Sequence, residues 1–187
     1  MPGRSRVVVV MSFVALMLAS CSKGEKDAAI QNLQLFDLVG ALPRATVKTP
    51  KPEMVSKGNL TVGGQRRDVV FMHPPSSVTF PPITLSEGAW FEFGIGVSDE
   101  AWAKGGDGVV FSISVQKEDG KLAKVLTRHL DPQHTDADRR WLDLQIPLRQ
   151  FAGQKVQIVL ETQVGPAGDA TFDWGGWSRP RLFVPQK

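Results

Sequence analysis

Residues 90–97 read WFEFGIGV and residues 109–115 read VVFSISV, with a glycine-rich gap, GGDG, at 105–108 between them. In the first stretch Phe91, Phe93, Ile95 and Val97 fall on one side, and Glu92, Gly94 and Gly96 on the other. In the second, Val109, Phe111, Ile113 and Val115 alternate with Val110, Ser112 and Ser114. A strand turns successive side chains to opposite faces, so this alternation predicts half-buried strands of an antiparallel sheet.

The same period continues in both directions. Val69–Met72 is a short apolar run, Val78 and Phe80 alternate with Ser77 and Thr79, and Ile83 and Leu85 follow Pro81-Pro82. Downstream, Leu142, Leu144 and Ile146 alternate with Asp143 and Gln145, and Val156, Ile158, Leu160 and Thr162 with Gln157, Val159 and Glu161. Turn residues punctuate the runs at Ser86-Glu87-Gly88, Asp119-Gly120 and Gly165-Pro166-Ala167-Gly168. Asp119-Gly120 predicts a two-residue hairpin. Roughly eight strands with no helical run between them predict an all-β chain, an antiparallel β-sandwich of jelly-roll type over residues 59–187.

Ahead of the strands the pattern differs. Ile30, Leu33, Leu35, Phe36, Leu38 and Val39 loosely follow helical spacing, which predicts one short amphipathic helix over 28–39, ended by Gly40 and Pro43. Residues 43–58 hold three prolines and read as an extended lead-in. Residues 22–27, SKGEKD, are small and charged and suit a tether.

The first 21 residues, MPGRSRVVVVMSFVALMLASC, place Arg4 and Arg6 before an apolar run from Val7 to Leu18. A permanent bilayer-crossing helix takes about 20 apolar residues, so the run has the length of a secretory leader instead. Leu18-Ala19-Ser20-Cys21 resembles the lipobox of bacterial lipoproteins. The resemblance implies a signal peptide over 1–20 and a lipidated Cys21 carrying acyl chains such as palmitate. It also implies a membrane partner through that anchor and a place in the cell envelope. Ser22 stands where that family keeps aspartate for inner-membrane retention, so an outer-membrane address is implied in a two-membrane source. Cys21 is the single cysteine of the chain, which excludes internal disulfides and cysteine-rich zinc sites.

Charge argues against nucleic acid. The 187 residues carry 22 basic and 19 acidic side chains, a net charge of +3, and the leader removes two of the arginines. The remaining basic pairs, Arg66-Arg67 and Arg139-Arg140, have acidic neighbours Asp68 and Asp138, so no basic stripe tracks a phosphate backbone.

The stretches GIGVSDEAWAKGGDGVVFSISV (94–115), LDPQHTDADRRWLDLQIPL (130–148), FAGQKVQIVLET (151–162) and GPAGDATFDWGGW (165–177) resemble, in order and pattern, the galactose-binding-like jelly rolls that include carbohydrate-binding modules. In that family ligands sit at loops on one end of the sandwich, often with a structural calcium nearby. Asp107, Asp131, Asp136, Asp138 and Asp169 are oxygen donors for such an ion, but EF-hand spacing is absent and ordinary loop aspartates are expected. No cofactor is expected.

Three tryptophans, Trp102, Trp174 and Trp177, fall in segments read as loops. An indole face stacks on the apolar face of a sugar while polar groups read its hydroxyls. Asp173, Asp169, Lys104 and Arg179 are the local polar candidates, and Gly175-Gly176 suits close backbone approach. The competing reading is that these tryptophans are lids of the core. Arg128, Arg139 and Arg140 are expected to pair with Asp131, Asp136 and Asp138 and stiffen their loop.

Catalytic patterns are missing. His73, His129 and His134 form no HExxH, no Gly-x-Ser-x-Gly elbow occurs, and Gly94-Ile95-Gly96 lies inside a strand with no helix after it. Asp143 and Glu161 are conceivable glycosidase carboxylates on exposed strand positions. The leading expectation is a non-catalytic, lipid-anchored sandwich that binds glycan or a cell-envelope polymer. The alternative is a subunit docking on another envelope protein, through the 28–39 helix, and a hydrolase is the minority case.

Overall fold

A computed structural model describes residues 33–186. The expected leader, Cys21, the expected 22–27 tether and the start of the expected helix lie outside them. Twelve strands follow in chain order: β1 Leu33–Asp37, β2 Thr46–Lys48, β3 Val55–Val62, β4 Gln65–Met72, β5 Ser76–Thr79 and β6 Ile83–Thr84, then β7 Trp90–Val97, β8 Val109–Lys117, β9 Leu122–Leu130, β10 Leu142–Pro147, β11 Lys155–Val164 and β12 Gly175–Pro185. One sheet has the order β10-β7-β12-β4-β3, with β1 also on β12; the other runs β2-β5-β11-β8-β9, with β6 on β11. All pairings are antiparallel. The antiparallel β-sandwich is therefore as expected.

The alternating residues do what their spacing predicts. Phe91, Phe93, Ile95 and Val97 of β7 face Val109, Phe111, Ile113 and Val115 of β8 across one core, all buried. The β8–β9 hairpin differs from the two-residue expectation: Lys117 N–H donates to the Lys121 carbonyl at 2.9 Å, which leaves Glu118, Asp119 and Gly120 in the turn, with Gly120 at a φ of 79°. The turn needs that left-handed conformation, which glycine adopts without steric cost.

Two expectations before Asn59 change. Leu33–Asp37 is a strand, not helix, because it pairs in register with Arg181–Pro185 of β12. The helix that does form is Leu38–Ala41, capped by Asp37, whose carboxylate accepts from the N–H groups of Val39 and Gly40 at 3.1 and 3.2 Å. Leu38 and Val39 are buried in the core, so this helix offers no free apolar face for docking. The lead-in also belongs to the sandwich: β2 joins the second sheet and β3 starts at Val55. Sheet pairing outweighs a loose helical periodicity in so short a segment.

The larger correction is β12. Segment 175–177, read as loop, starts an eleven-residue strand between β7 and β4. Its glycines serve packing: a Cβ at Gly176 would lie 2.7 Å from Leu60, and one at Gly175 3.1 Å from Phe111. Trp177 is 0% exposed, with ring centres of Phe93 and Phe111 at 5.6 and 5.3 Å. It ties both sheets together and is a core residue.

A small second cluster covers the outer face of the first sheet. Trp141 lies over Gly96 with Leu60, Val62 and Val69 beside it. Its indole N–H donates to the Gln65 carbonyl at 2.9 Å, and the Arg67 guanidinium sits 5.0 Å from the ring centre. Among the described residues no helix is long and apolar enough to cross a membrane.

Candidate functional site at the loop end

Three loops meet at one end of the sandwich: 98–108 after β7, 131–141 after β9 and 165–174 after β11. Side chains and backbone groups lock them to one another. Ser98 N–H donates to the Trp174 carbonyl at 3.0 Å, and the Trp102 indole N–H to the Val97 carbonyl at 3.0 Å. The His129 Nε2–H donates to the Asp107 carbonyl at 2.7 Å, while an Asp107 carboxylate oxygen accepts from Ala167 N–H. Asp99 accepts from Gly63 and Gly64 N–H, tying the β3–β4 turn to the same end. The 131–141 loop is stiffened in part as expected: Asp138 accepts from Asp131 N–H and meets Arg128, and Arg139 meets Asp136 at 2.6 Å, whereas Arg140 makes no ion pair among the described residues. Asp131 differs from the expectation, pairing with His134 at 2.9 Å.

The aromatic surface lies in the third loop. Phe172 takes a φ of 61°, a region a non-glycine residue seldom occupies and one that clusters at functional sites. Its ring meets Trp174 edge-on at 5.9 Å between centres. Lys104 Nζ stands 4.5 Å from the Trp174 ring centre and 5.7 Å from that of Phe172. Both aromatics are half-buried, and Lys104 and Asp169 are exposed beside them. Thr171 hydrogen bonds, from its side chain and its backbone, hold the Asp169 carboxyl below its usual range.

Beneath this surface is a crevice lined by Trp102, Gly106, Asp131, Gln133, Phe172 and Asp173, about 10 Å³ in volume. That is about the room one water needs. Asp107 Oδ1, Gln133 Oε1 and Asp173 Oδ2 are buried with no hydrogen-bond partner among the described residues. Burial pushes Asp173 up to about 7, with the charges of Asp107, Asp169 and Asp131 adding to the effect. A neutral Asp173 can donate one hydrogen bond, which a carboxylate cannot.

Of the residues expected to form a site, Trp102, Lys104, Asp169, Asp173 and Trp174 come together here. Trp177 does not, because it fills the core, and Arg179 does not, because it lies on the outer face of the first sheet. Phe172 is the residue missed. Its signal was a large apolar side chain among turn-forming residues, in DATFDWGG. The aspartates weighed as calcium donors are divided among arginines, His134 and backbone N–H groups; no group of three or more His, Cys, Asp or Glu placed to hold a metal occurs among the described residues.

No family model matches the chain. An uncharacterized protein of Archaeoglobus fulgidus is 31% identical over 132 residues, which span 67% of this chain. The chain covers 33% of that relative's length. Among solved structures, a CBM51 module of Clostridium perfringens ZmpB, in complex with GlcNAc, aligns with a TM-score of 0.52 at 15% identity, over 81% of this chain and 32% of that one. The CBM51 module of Clostridium perfringens GH95, in complex with methyl-galactose, aligns with a TM-score of 0.50 at 15% identity, over 80% and 99%. The K3 cleaved adhesin domain of Lys-gingipain from Porphyromonas gingivalis aligns with a TM-score of 0.51 at 9% identity, over 80% and 97%. The chain thus shares the jelly-roll fold of structures that include carbohydrate-binding modules.

Proposed function

We propose that this chain is a lipid-anchored, non-catalytic sandwich of the cell envelope that binds glycan, or a polymer of the envelope, through its loop end. The carrying observation is the Phe172–Trp174 pair with Lys104 over it, on three interlocked loops. Rigid aromatics flanked by a few polar groups suit a sugar's apolar face and its hydroxyls. Trp102 contributes mainly as a wall, since its indole N–H is already engaged.

The two carboxylates weighed for hydrolysis, Asp143 and Glu161, do not form a pair. Asp143 projects outward from β10 in the first sheet, and Glu161 alternates with buried Leu160 and Thr162 on β11 in the second. They therefore stand on opposite faces of the sandwich, whereas a glycosidase needs both within about 10 Å of one bond. The anchor is supported by the lipobox-like order Leu18-Ala19-Ser20-Cys21. Multiple acyl chains hold such a body on a membrane against release.

A glycan array probed with wild-type and Trp174→Ala protein tests the binding reading. A defined signal that the variant loses supports it; an array blank for the wild type refutes it. Mass spectrometry of the native protein tests the anchor, which requires a chain beginning at an acylated Cys21.

A further inference from the structure

The outer face of the first sheet holds a groove of about 330 Å³, distinct from the loop end and bordered by β10, β7 and β12. This lies at the lower end of the range of small-ligand pockets, about 300–1,000 Å³. Its cause is local. Along β7 the outward positions are Glu92, Gly94 and Gly96, and Trp141 fills the space over Gly96 but not that over Gly94. A Cβ at Gly94 would stand 2.8 Å from Asp143 Oδ1 and 3.2 Å from Arg67 Nη1. The bare backbone is thus what lets Arg67 cross the sheet to grip Asp143, at 2.5 and 3.1 Å.

On the opposite rim β12 is irregular. Its register shifts between Ser178 and Arg181, and Arg179 takes a φ of 44°. Bulges of this kind re-aim side chains and gather beside functional sites. Ser178 is 1% exposed and lines the groove, yet its hydroxyl has no partner among the described residues, and neither has Arg181 Nε.

Charge narrows the class. Asp143 is matched by Arg67, and Glu92 lies 3.7 Å from Arg181. Arg179 is exposed and has no ion pair among the described residues, so the groove keeps one uncompensated cation on its β12 rim. The β10 rim presents acceptors, Asp143 and Gln145. We propose that this groove is a second binding site, for an acidic sugar ring of the hexuronate class. Its carboxylate meets Arg179, and its hydroxyls meet Asp143 and Gln145, the exposed acceptors of the β10 rim. The proposal stands apart from the loop-end reading, because no residue is shared.

The test is an NMR titration of the full chain with galacturonate and, in parallel, with galactose. Galacturonate is expected to shift the amides of Gly94, Gln145, Ser178 and Arg179, at least tenfold more tightly than galactose does. Arg179→Gly, which removes the guanidinium and suits the positive φ, and Gln145→Ala are both exposed changes. Each is expected to weaken galacturonate at least fivefold with an unaltered melting profile. Silent groove amides, equal response to both sugars, or variants that titrate like wild type would overturn the proposal. Shifts confined to Trp102, Phe172 and Trp174 would sink the groove and leave the loop end standing; groove shifts with those residues still would support the groove and leave the loop end to the glycan array.

Discussion

Lys104 places its ammonium 4.5 Å from the centre of the Trp174 ring, inside the range of cation–π attraction. The two residues come from different loops, so the contact fixes where the indole face lies relative to the crevice. A sugar stacked on that face keeps Lys104 at its edge, where the ammonium can donate to a hydroxyl. Trp174→Ala is therefore expected to weaken binding of an array-identified glycan by about 2 kcal/mol, roughly thirtyfold. Lys104→Ala is expected to weaken it by about 1 kcal/mol, roughly fivefold. Isothermal titration of wild type and both variants measures the two effects.

Trp177 gives the opposite prediction. Its ring bridges Phe93 and Phe111 from opposite sheets, so Trp177→Ala opens a large cavity rather than a binding site. Such truncations cost about 3–5 kcal/mol, a large part of a domain's total stability. Urea unfolding should show a much lower midpoint, and at low denaturant any folded fraction should bind glycan as wild type does.

Asp173 sets a pH dependence whose direction follows from burial. Its folded-state pKa is raised from 3.8 to about 7, so between those values the folded chain holds a proton that the unfolded chain has released. Stability contributed by this group therefore falls as pH rises through that window, and the loss is complete above about 7. Asp173→Asn is expected to flatten the fall and to raise the melting temperature at pH 8 relative to wild type. Equal pH slopes for the two proteins would contradict this account of the crevice.

Gly108 tests how the loops are seated. It has a φ of 83°, and a Cβ there would run into the Leu130 carbonyl and the Asp131 backbone. Gly108→Ala is expected to cost about 2 kcal/mol or more, through backbone strain and overlap together. Gly105→Ala has open space around its Cβ and meets only the strain of its positive φ, so it should cost less. Thermal unfolding of both variants checks the order.

What could be read in the sequence was whatever period two could carry. β7 and β8 keep a large apolar residue at each inward position, so their alternation survives in the residue types, although Gly94, Gly96, Ser112 and Ser114 on their other faces are buried too and not solvated as expected. β12 was hidden because Gly175, Gly176 and Pro180 speak locally for a turn. Only the partners across the strand, Leu60 and Phe111, explain why side chains are missing there. Trp177 was misplaced with it, and Arg179 was drawn to the wrong surface. β1 went astray through the reverse effect, a loose helical spacing overruled by pairing with β12. At the loop end, composition marked Trp102, Lys104, Asp169, Asp173 and Trp174, but Phe172 needed the fold to reveal its contact with Trp174. The sheet-face groove left no trace in residue types, because it arises where Arg67 and Asp143 meet over the bare backbone of Gly94 and where the register shifts near Arg179.

The most direct measurement of loop-end binding uses the indole N–H signals of the five tryptophans. Titration with the strongest glycan from the array is expected to move the Trp174 signal, with a smaller change at Trp102, while Trp177, sealed in the core, stays in place. A saturating titration that leaves the Trp174 signal unmoved would contradict the loop-end site.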